Sequence, residues 1–203
     1  MPFTIKEYKK FSKNNYRHFV LGGDIGGTNT NLGIFGVKSK KPKLLALFHF
    51  DSKKIKGLHY AVNEALEHVK KNYGIPLNTA CFGVAGVLSS SKEHAKITNA
   101  RWDVSKKMLL EKTQLKKILL VNDFEAIGYG ISILSKRDIM VIKRAQKVPK
   151  APILVIGAGT GLGKAALIYN ENSKSYAAIP SEAGHSDFAA QTADELALVN
   201  FIK

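Results

Sequence analysis

Cysteine is almost absent from this sequence: Cys81 is the only one in 203 residues. That excludes a disulfide framework, and a lone thiol fits a reducing compartment. Acid is scarce as well, with 16 Asp plus Glu against 31 Lys plus Arg and a formal net charge of +15. Arginine is scarce within that excess, because 27 of the basic residues are lysines. Bidentate recognition of phosphates and bases favours arginine. No helix-turn-helix, zinc-finger or RNA-recognition signature accompanies the charge. The basic groups are spread over 1–20, 38–56 and 136–150 rather than gathered in one block. A solvated lysine-rich surface is therefore favoured over nucleic-acid binding, although such a surface also attracts anionic ligands.

Long apolar runs are missing too. The best of them, Ile118–Val121 and Ile153–Ile156, are far too short to span a bilayer and read as buried strands. The opening MPFTIKEYKKFSK is basic but lacks the apolar stretch of a signal peptide. The expectation is a cytoplasmic protein with no membrane partner. What is present is an ordinary globular composition, long enough to bury a real core.

Along the chain, residues 1–17 read as a basic N-terminal arm and 18–134 as a small α/β domain. Residues 135–203 read as the beginning of a larger one. HFVLGGDIGGTNTNLGIFGV (18–37) reads as strand, glycine turn, strand, and Leu44–Phe50 as a third strand. Leu58, Ala61, Val62, Ala65, Leu66, Val69 and Tyr73 fall at helical spacing, and Gly74-Ile75-Pro76 ends that helix. Thr79–Ala85 reads as a strand and Asp103 to about Gln114 as a helix. Ile118–Val121 reads as a strand leading into a helix over Phe124–Leu134. After an irregular basic stretch, Pro152–Tyr169 repeats the pattern of strand, glycine turn, strand. Tyr176–Ile179 adds a strand, and Thr192 reads as the N-cap of a closing helix still apolar at Phe201-Ile202.

Three segments carry chemistry. The first is the pair of glycine turns. Glycines permit positive φ and close approach of a ligand to the backbone, and consecutive N–H groups form anion nests. Gly26, Gly27 and Thr28, with Gly157, Gly159, Thr160 and Gly161, could hold two parts of one polyphosphate chain. One such turn alone reads as a tight hairpin, but two matched turns favour phosphate. Asp24, at a strand end, could hold Mg²⁺ through water. Neither turn is a Walker loop or a dinucleotide fingerprint. The second segment is Asn122-Asp123. Asp123 could take a proton from a hydroxyl, or it could cap the helix that follows; spacing leaves both open. The third is Ser181-Glu182-Ala183-Gly184-His185, where Glu182 and His185 offer the acceptors and donors a sugar requires. A lone His is more often structural.

Taken together the segments resemble the bacterial-type glucokinases of the sugar kinase, actin and Hsp70 superfamily. The resemblance rests on Gly23-Asp24-Ile25-Gly26-Gly27-Thr28-Asn29, Thr98-Asn99 with Trp102, and Asn122-Asp123-Phe124. It also rests on Gly157–Gly163 and on Glu182–His185 with Asp187-Phe188. It implies an α/β, ribonuclease H-like (actin-like ATPase) fold: a mixed sheet flanked by helices, with the start of a second similar domain. It implies ATP-dependent phosphorylation of glucose, with ATP and Mg²⁺ as cofactors and Asp123 as catalytic base. Asn99, Asn122, Asp123, Glu182 and His185 are the implied sugar contacts. Gly23, Asp24, Ile25, Gly26, Gly27 and Thr28, with Gly157, Gly159, Thr160 and Gly161, are the implied phosphate loops.

The sequence departs from the family at Ser181 and Ala183, where glycine is usual. No cysteine follows His185, which disfavours the zinc-bearing repressor branch. Family chains are longer, so this sequence is expected to be a front part, weak or inactive alone and prone to homodimerise through exposed apolar surface. A kinase for another hexose, or a non-catalytic sugar-binding or regulatory module of the same fold, is the alternative.

Overall fold

A computed structural model describes the chain except residues 1–2, 9–12, 40, 98–99, 160 and 203 and the side chain of His185. Two compact units result, Met1–Arg144 and Ala145–Lys203.

The first unit is built on strands β1 (Phe3–Glu7), β2 (His18–Ile25), β3 (Asn29–Val37), β4 (Lys43–Asp51) and β5 (Thr79–Val84). Three short strands follow, β6 (Gly86–Leu88), β7 (His94–Ile97) and β8 (Val104–Ser105), and then β9 (Lys117–Asn122). The main sheet runs in the order β1-β4-β3-β2-β5-β9. β1 to β4 pair antiparallel, whereas β2-β5 and β5-β9 are parallel. Alternation places Leu21, Ile25, Leu32, Ile34, Phe48 and Phe50 on one buried face. They share a core with Leu58, Ala61, Val62, Ala65, Leu66 and Val69 of helix α1 (Leu58–Tyr73). That helix stops where the sequence places its end: Gly74 takes the left-handed conformation at φ 62° and returns its N–H to Lys70 O at 3.0 Å.

Part of the stretch read as a basic arm is a strand. Phe3–Glu7 adds β1 to the sheet edge, in register with β4. Phe3 packs its ring against Phe48 and Phe50. Backbone pairing plus one aromatic anchor suffices, so the strand's polar outer residues do not announce it.

Helix α2 (Lys106–Lys112) begins later than the apolar spacing suggested, because Ser105 is its N-cap and accepts from Met108 N. Helix α3 (Asp123–Ile131) ends before Leu134. Between β5 and α2 lies the small sheet β6-β7-β8, which begins at Gly86. Gly86 has φ 148°, and a Cβ there would lie 2.1 Å from the backbone oxygen of Lys96.

The second unit is an antiparallel meander of β10 (Ile153–Ala158), β11 (Leu162–Asn170) and β12 (Ser175–Ser181). Helix α4 (Ala193–Ile202) follows. Tyr169 and Tyr176 face each other across β11 and β12 as an edge-on ring pair. Thr192 caps α4 as expected: its Oγ1 accepts from Glu195 N while Glu195 Oε2 accepts from Thr192 N. Among the described residues no helix is long and apolar enough to cross a membrane.

Gly86→Ala should destabilise the first unit by about 3 kcal/mol, because the new methyl meets backbone and the conformation disfavours L-residues. Urea unfolding checks this, and a loss under 1 kcal/mol would contradict the packing.

Candidate active site

Three parallel strand ends bring the chemistry of the first unit together. In register, Asp24 of β2 lies beside Gly83 of β5, and Gly83 beside Val121 of β9. Asn122 and Asp123 follow directly. A Cβ on Gly83 would lie 3.2 Å from Ala126 Cβ and 3.6 Å from Asp123 Cα, so the first turn of α3 sits over that glycine. Asn122 is the N-cap, its Oδ1 accepting from Phe124 N at 2.9 Å and Glu125 N at 3.2 Å. That leaves its amide NH₂ as the group able to donate to a ligand. Asp123 is the first helical residue, half-buried, and its Oδ1 also accepts from Phe124 N. The capping role left open by spacing is therefore taken chiefly by Asn122.

The turn between β2 and β3 is braced from behind. Gly26 N donates to Asn29 O at 2.9 Å, and Ser52 N donates to Thr28 O at 2.9 Å. Ser52 Oγ donates to Gly26 O at 2.7 Å, so the second hydroxyl contact, 2.8 Å to Thr30 Oγ1, must have Thr30 as donor. Both hydroxyls are buried. Trp102 Nε1 donates to Ser52 O at 3.0 Å, which ties in a further loop. Gly26 thus has both backbone groups engaged, and Gly27 and Thr28 form the tip. Gly23 has a packing role: a Cβ there would lie 2.5 Å from the Phe82 ring. Ile25 is buried, so only its backbone can reach a ligand.

In the second unit, the β10–β11 turn is closed by pairing of Gly157 with Gly163 and by Gly159 N donating to Gly161 O at 2.8 Å. A Cβ on Gly161 would meet nothing within 4 Å, and one on Gly159 only Gly161 O at 4.0 Å. These glycines have no packing role and face open space, as a ligand-approach turn requires. They do not use the positive φ that glycine permits; among the described glycines φ is positive at Gly57, Gly74 and Gly86. Glu182 is exposed and precedes a 3₁₀ turn, Ala183–His185. A Cβ on Gly184 would lie 1.6 Å from Leu162 O, so this turn packs backbone to backbone against β11. Lys164 Nζ donates to Ala183 O at 3.2 Å. Asn99, Thr160 and the His185 side chain lie outside the described residues.

The glucokinase family profile matches residues 21–203. The chain belongs to the glucokinase family. It is 37% identical over 185 residues to a glucokinase of Nostoc sp., covering 90% of this chain and 52% of the relative. The solved glucokinase of an Antarctic psychrotroph superposes with a TM-score of 0.74 at 28% identity, over 90% of this chain and 55% of that one. A glucokinase of Balamuthia mandrillaris, solved with glucose, shares the fold at a TM-score of 0.67 and 21% identity, over 90% and 53%. The chain spans about half the length of the curated relatives it matches. The expected α/β architecture of the sugar kinases is thus the architecture of this glucokinase-family chain.

Two features of the site escape sequence reading. One is the Ser52–Thr30 brace, whose hydroxyls are 22 residues apart. The other is Glu125, buried on α3 two residues after Asp123, with Lys92 Nζ donating to Oε1 at 2.8 Å and Oε2 at 3.0 Å. Lys92 sits at φ 54°, a conformation uncommon for a residue with a side chain. The pair ties the β6–β7 turn to the helix that carries Asp123. Burial, and then the charge of Glu125, push the Cys81 thiol up. That keeps it protonated at neutral pH and a poor nucleophile. Among the described residues no cluster of three or more His, Cys, Asp or Glu could hold a metal ion. The exposed Asp24 carboxylate fits the other mode, in which one carboxylate holds Mg²⁺ through water beside phosphate oxygens.

Ser52→Ala should cost about 2 kcal/mol, since Gly26 O and Thr30 Oγ1 lose a buried partner. Adding Thr30→Val should cost less than the sum of the single changes. Additive losses in denaturant unfolding would show the two hydroxyls to be uncoupled. Lys92→Met should cost about 2 kcal/mol by leaving the Glu125 carboxylate buried and unpaired; Lys92 is half-exposed, which keeps the figure below that of a fully buried pair.

Proposed function

We propose that these residues serve ATP-dependent phosphorylation of glucose, yielding glucose 6-phosphate and ADP. The observation that carries the reading is the meeting of Asp24, the Gly26–Thr28 turn and Asp123 at the ends of β2, β5 and β9. This is the edge where α/β sheets bind ligands. Membership of the glucokinase family supplies the reaction class, and the relative solved with glucose supports the choice of sugar.

In this reading Asp123 accepts the proton of the 6-hydroxyl as that oxygen attacks the γ-phosphorus of ATP. It stands at the start of α3, and the Asn122 amide donates to a neighbouring hydroxyl. Glu182 and His185 bind further sugar hydroxyls, as does Asn99. The backbone N–H groups of Gly27 and Thr28 receive phosphate oxygens, with Gly23, Asp24, Ile25 and Gly26 shaping that loop. Gly157, Gly159, Thr160 and Gly161 form the second phosphate turn. Bound Mg²⁺ supplies charge neutralisation of the phosphates, with Asp24 holding its water. Positioning and electrostatics dominate phosphoryl transfer, so the protein's task is alignment. A cytoplasmic location follows from the need for ATP and from a chain with one thiol.

Asp123→Asn tests the assignment. Transfer of labelled phosphate from MgATP to glucose should fall by about 10²–10⁴-fold, while glucose binding by calorimetry changes little. The measurement is made on this chain and on a chain extended to the length of its relatives. Retained turnover in the variant would remove Asp123 from the base role. Phosphorylation of another hexose in preference to glucose would revise the substrate.

A further inference from the structure

Asp24 is not alone on its strand row. On the sheet face opposite the aliphatic core, Asp24 of β2 lies opposite Asn31 of β3, and Asn31 opposite His49 of β4. Asn31 Nδ2 donates to Asp24 Oδ2 at 3.2 Å, and His49 Nδ1 lies 2.7 Å from Asn31 Oδ1. The chemistry of the three groups fixes the direction of this chain. A carboxylate only accepts, so Asn31 must turn its NH₂ toward Asp24 and its oxygen toward His49. An amide oxygen only accepts, so His49 must carry its proton on Nδ1.

We propose that Asn31 and His49 are positioning residues for Asp24, a relay across three strands that engages Oδ2 and presents the carboxylate to a metal–nucleotide complex at the Gly26–Thr28 turn. This rests on the reading of that turn given above. Neither side chain touches the nucleotide. Each acts through its neighbour, as the outer partners of a metal-binding carboxylate do. Ser52 and Thr30 fix the turn from the opposite face of the same strands, so the turn and the carboxylate beside it are both secured from β4.

The first test needs no substrate. Nitrogen-15 NMR of the histidine rings, with His49 assigned by its loss in His49→Gln, should show the Nδ1–H tautomer. A free imidazole prefers Nε2–H, and His49 should revert to that form in Asn31→Leu. The second test is binding of Mn²⁺·ADP, followed by the Mn²⁺ electron paramagnetic resonance signal. Asn31→Leu and His49→Leu should weaken it by about tenfold. His49→Asn, whose Nδ2 takes the place of the ring Nδ1 and can still donate to Asn31 Oδ1, should stay within about twofold of the unaltered chain.

An Nε2–H tautomer at His49 in the unaltered chain would overturn the relay. Equal Mn²⁺·ADP affinity in all variants would overturn its positioning role while leaving the phosphate reading of the turn in place. If the unaltered chain, extended to the length of its relatives, fails to bind Mn²⁺·ADP, the phosphate reading falls, and the positioning role falls with it even where the tautomer is as expected.

Discussion

β2 has neighbours of opposite direction, and that constraint organises the first unit. Its antiparallel partner β3 returns the chain at once, which makes the Gly26–Thr28 turn. Its parallel partner β5 delivers a second strand end to the same edge, and β9 a third. A purely antiparallel sheet would distribute its turns between both edges; a purely parallel one would have no tight turn at this place. Because parallel strands need long crossovers, α1 and α2 are required to cover the buried face. The hydrophobic core and the site geometry are therefore consequences of one strand order.

Glycine serves two purposes on these strands, and the structure separates them. Gly22, Gly23 and Gly33 leave room for the rings of Phe35 and Phe82, which would otherwise meet a side chain at under 3 Å. At Gly159 and Gly161, by contrast, an added Cβ would have open space among the described residues. Open space there is what the proposed second phosphate turn would use, at the entropic cost that glycine carries. The same logic applies to Lys92, whose strained backbone persists because its ammonium neutralises a carboxylate that burial would otherwise penalise heavily.

Much of this was legible where local signals and tertiary demands agree. The β2–β3 hairpin, α1 with its Gly74 stop, β9 and the Thr192 cap each combine a periodic apolar pattern with a boundary residue of known preference. β1 was not legible, because an edge strand buries little and only Phe3 and Ile5 of it pack against the core. Nor were β6, β7 and β8, which are two to four residues long and hold no pattern. At the site, Asp24, Asn122 and Asp123 stood out because a carboxylate or amide at a strand end is conspicuous. Their supports did not: Glu125 meets Lys92 across 33 residues, and Ser52 meets Thr30 and Gly26 across 22 and 26. Pairings set by sheet register leave no trace in linear spacing.

The excess of positive charge belongs with this picture rather than outside it. Three lysines of the first unit are engaged with acids: Lys92 on Glu125, Lys54 on Asp51 and Lys106 on Glu93. A backbone N–H from Lys53, more than any cation, holds the Asp51 carboxyl below its usual range. Lysine ammonium groups paired in this way position loops and screen acids without offering the planar forks that nucleic-acid readout uses. The Gly26–Thr28 turn is fixed from behind by Ser52, which would hold its backbone N–H groups in place for the proposed phosphate contact. Such groups form a dipolar cradle whose attraction needs no side-chain charge and survives salt better than a surface lysine does. On the proposed reading, the net charge would guide the long-range approach of a nucleotide, and the turn would receive its phosphates.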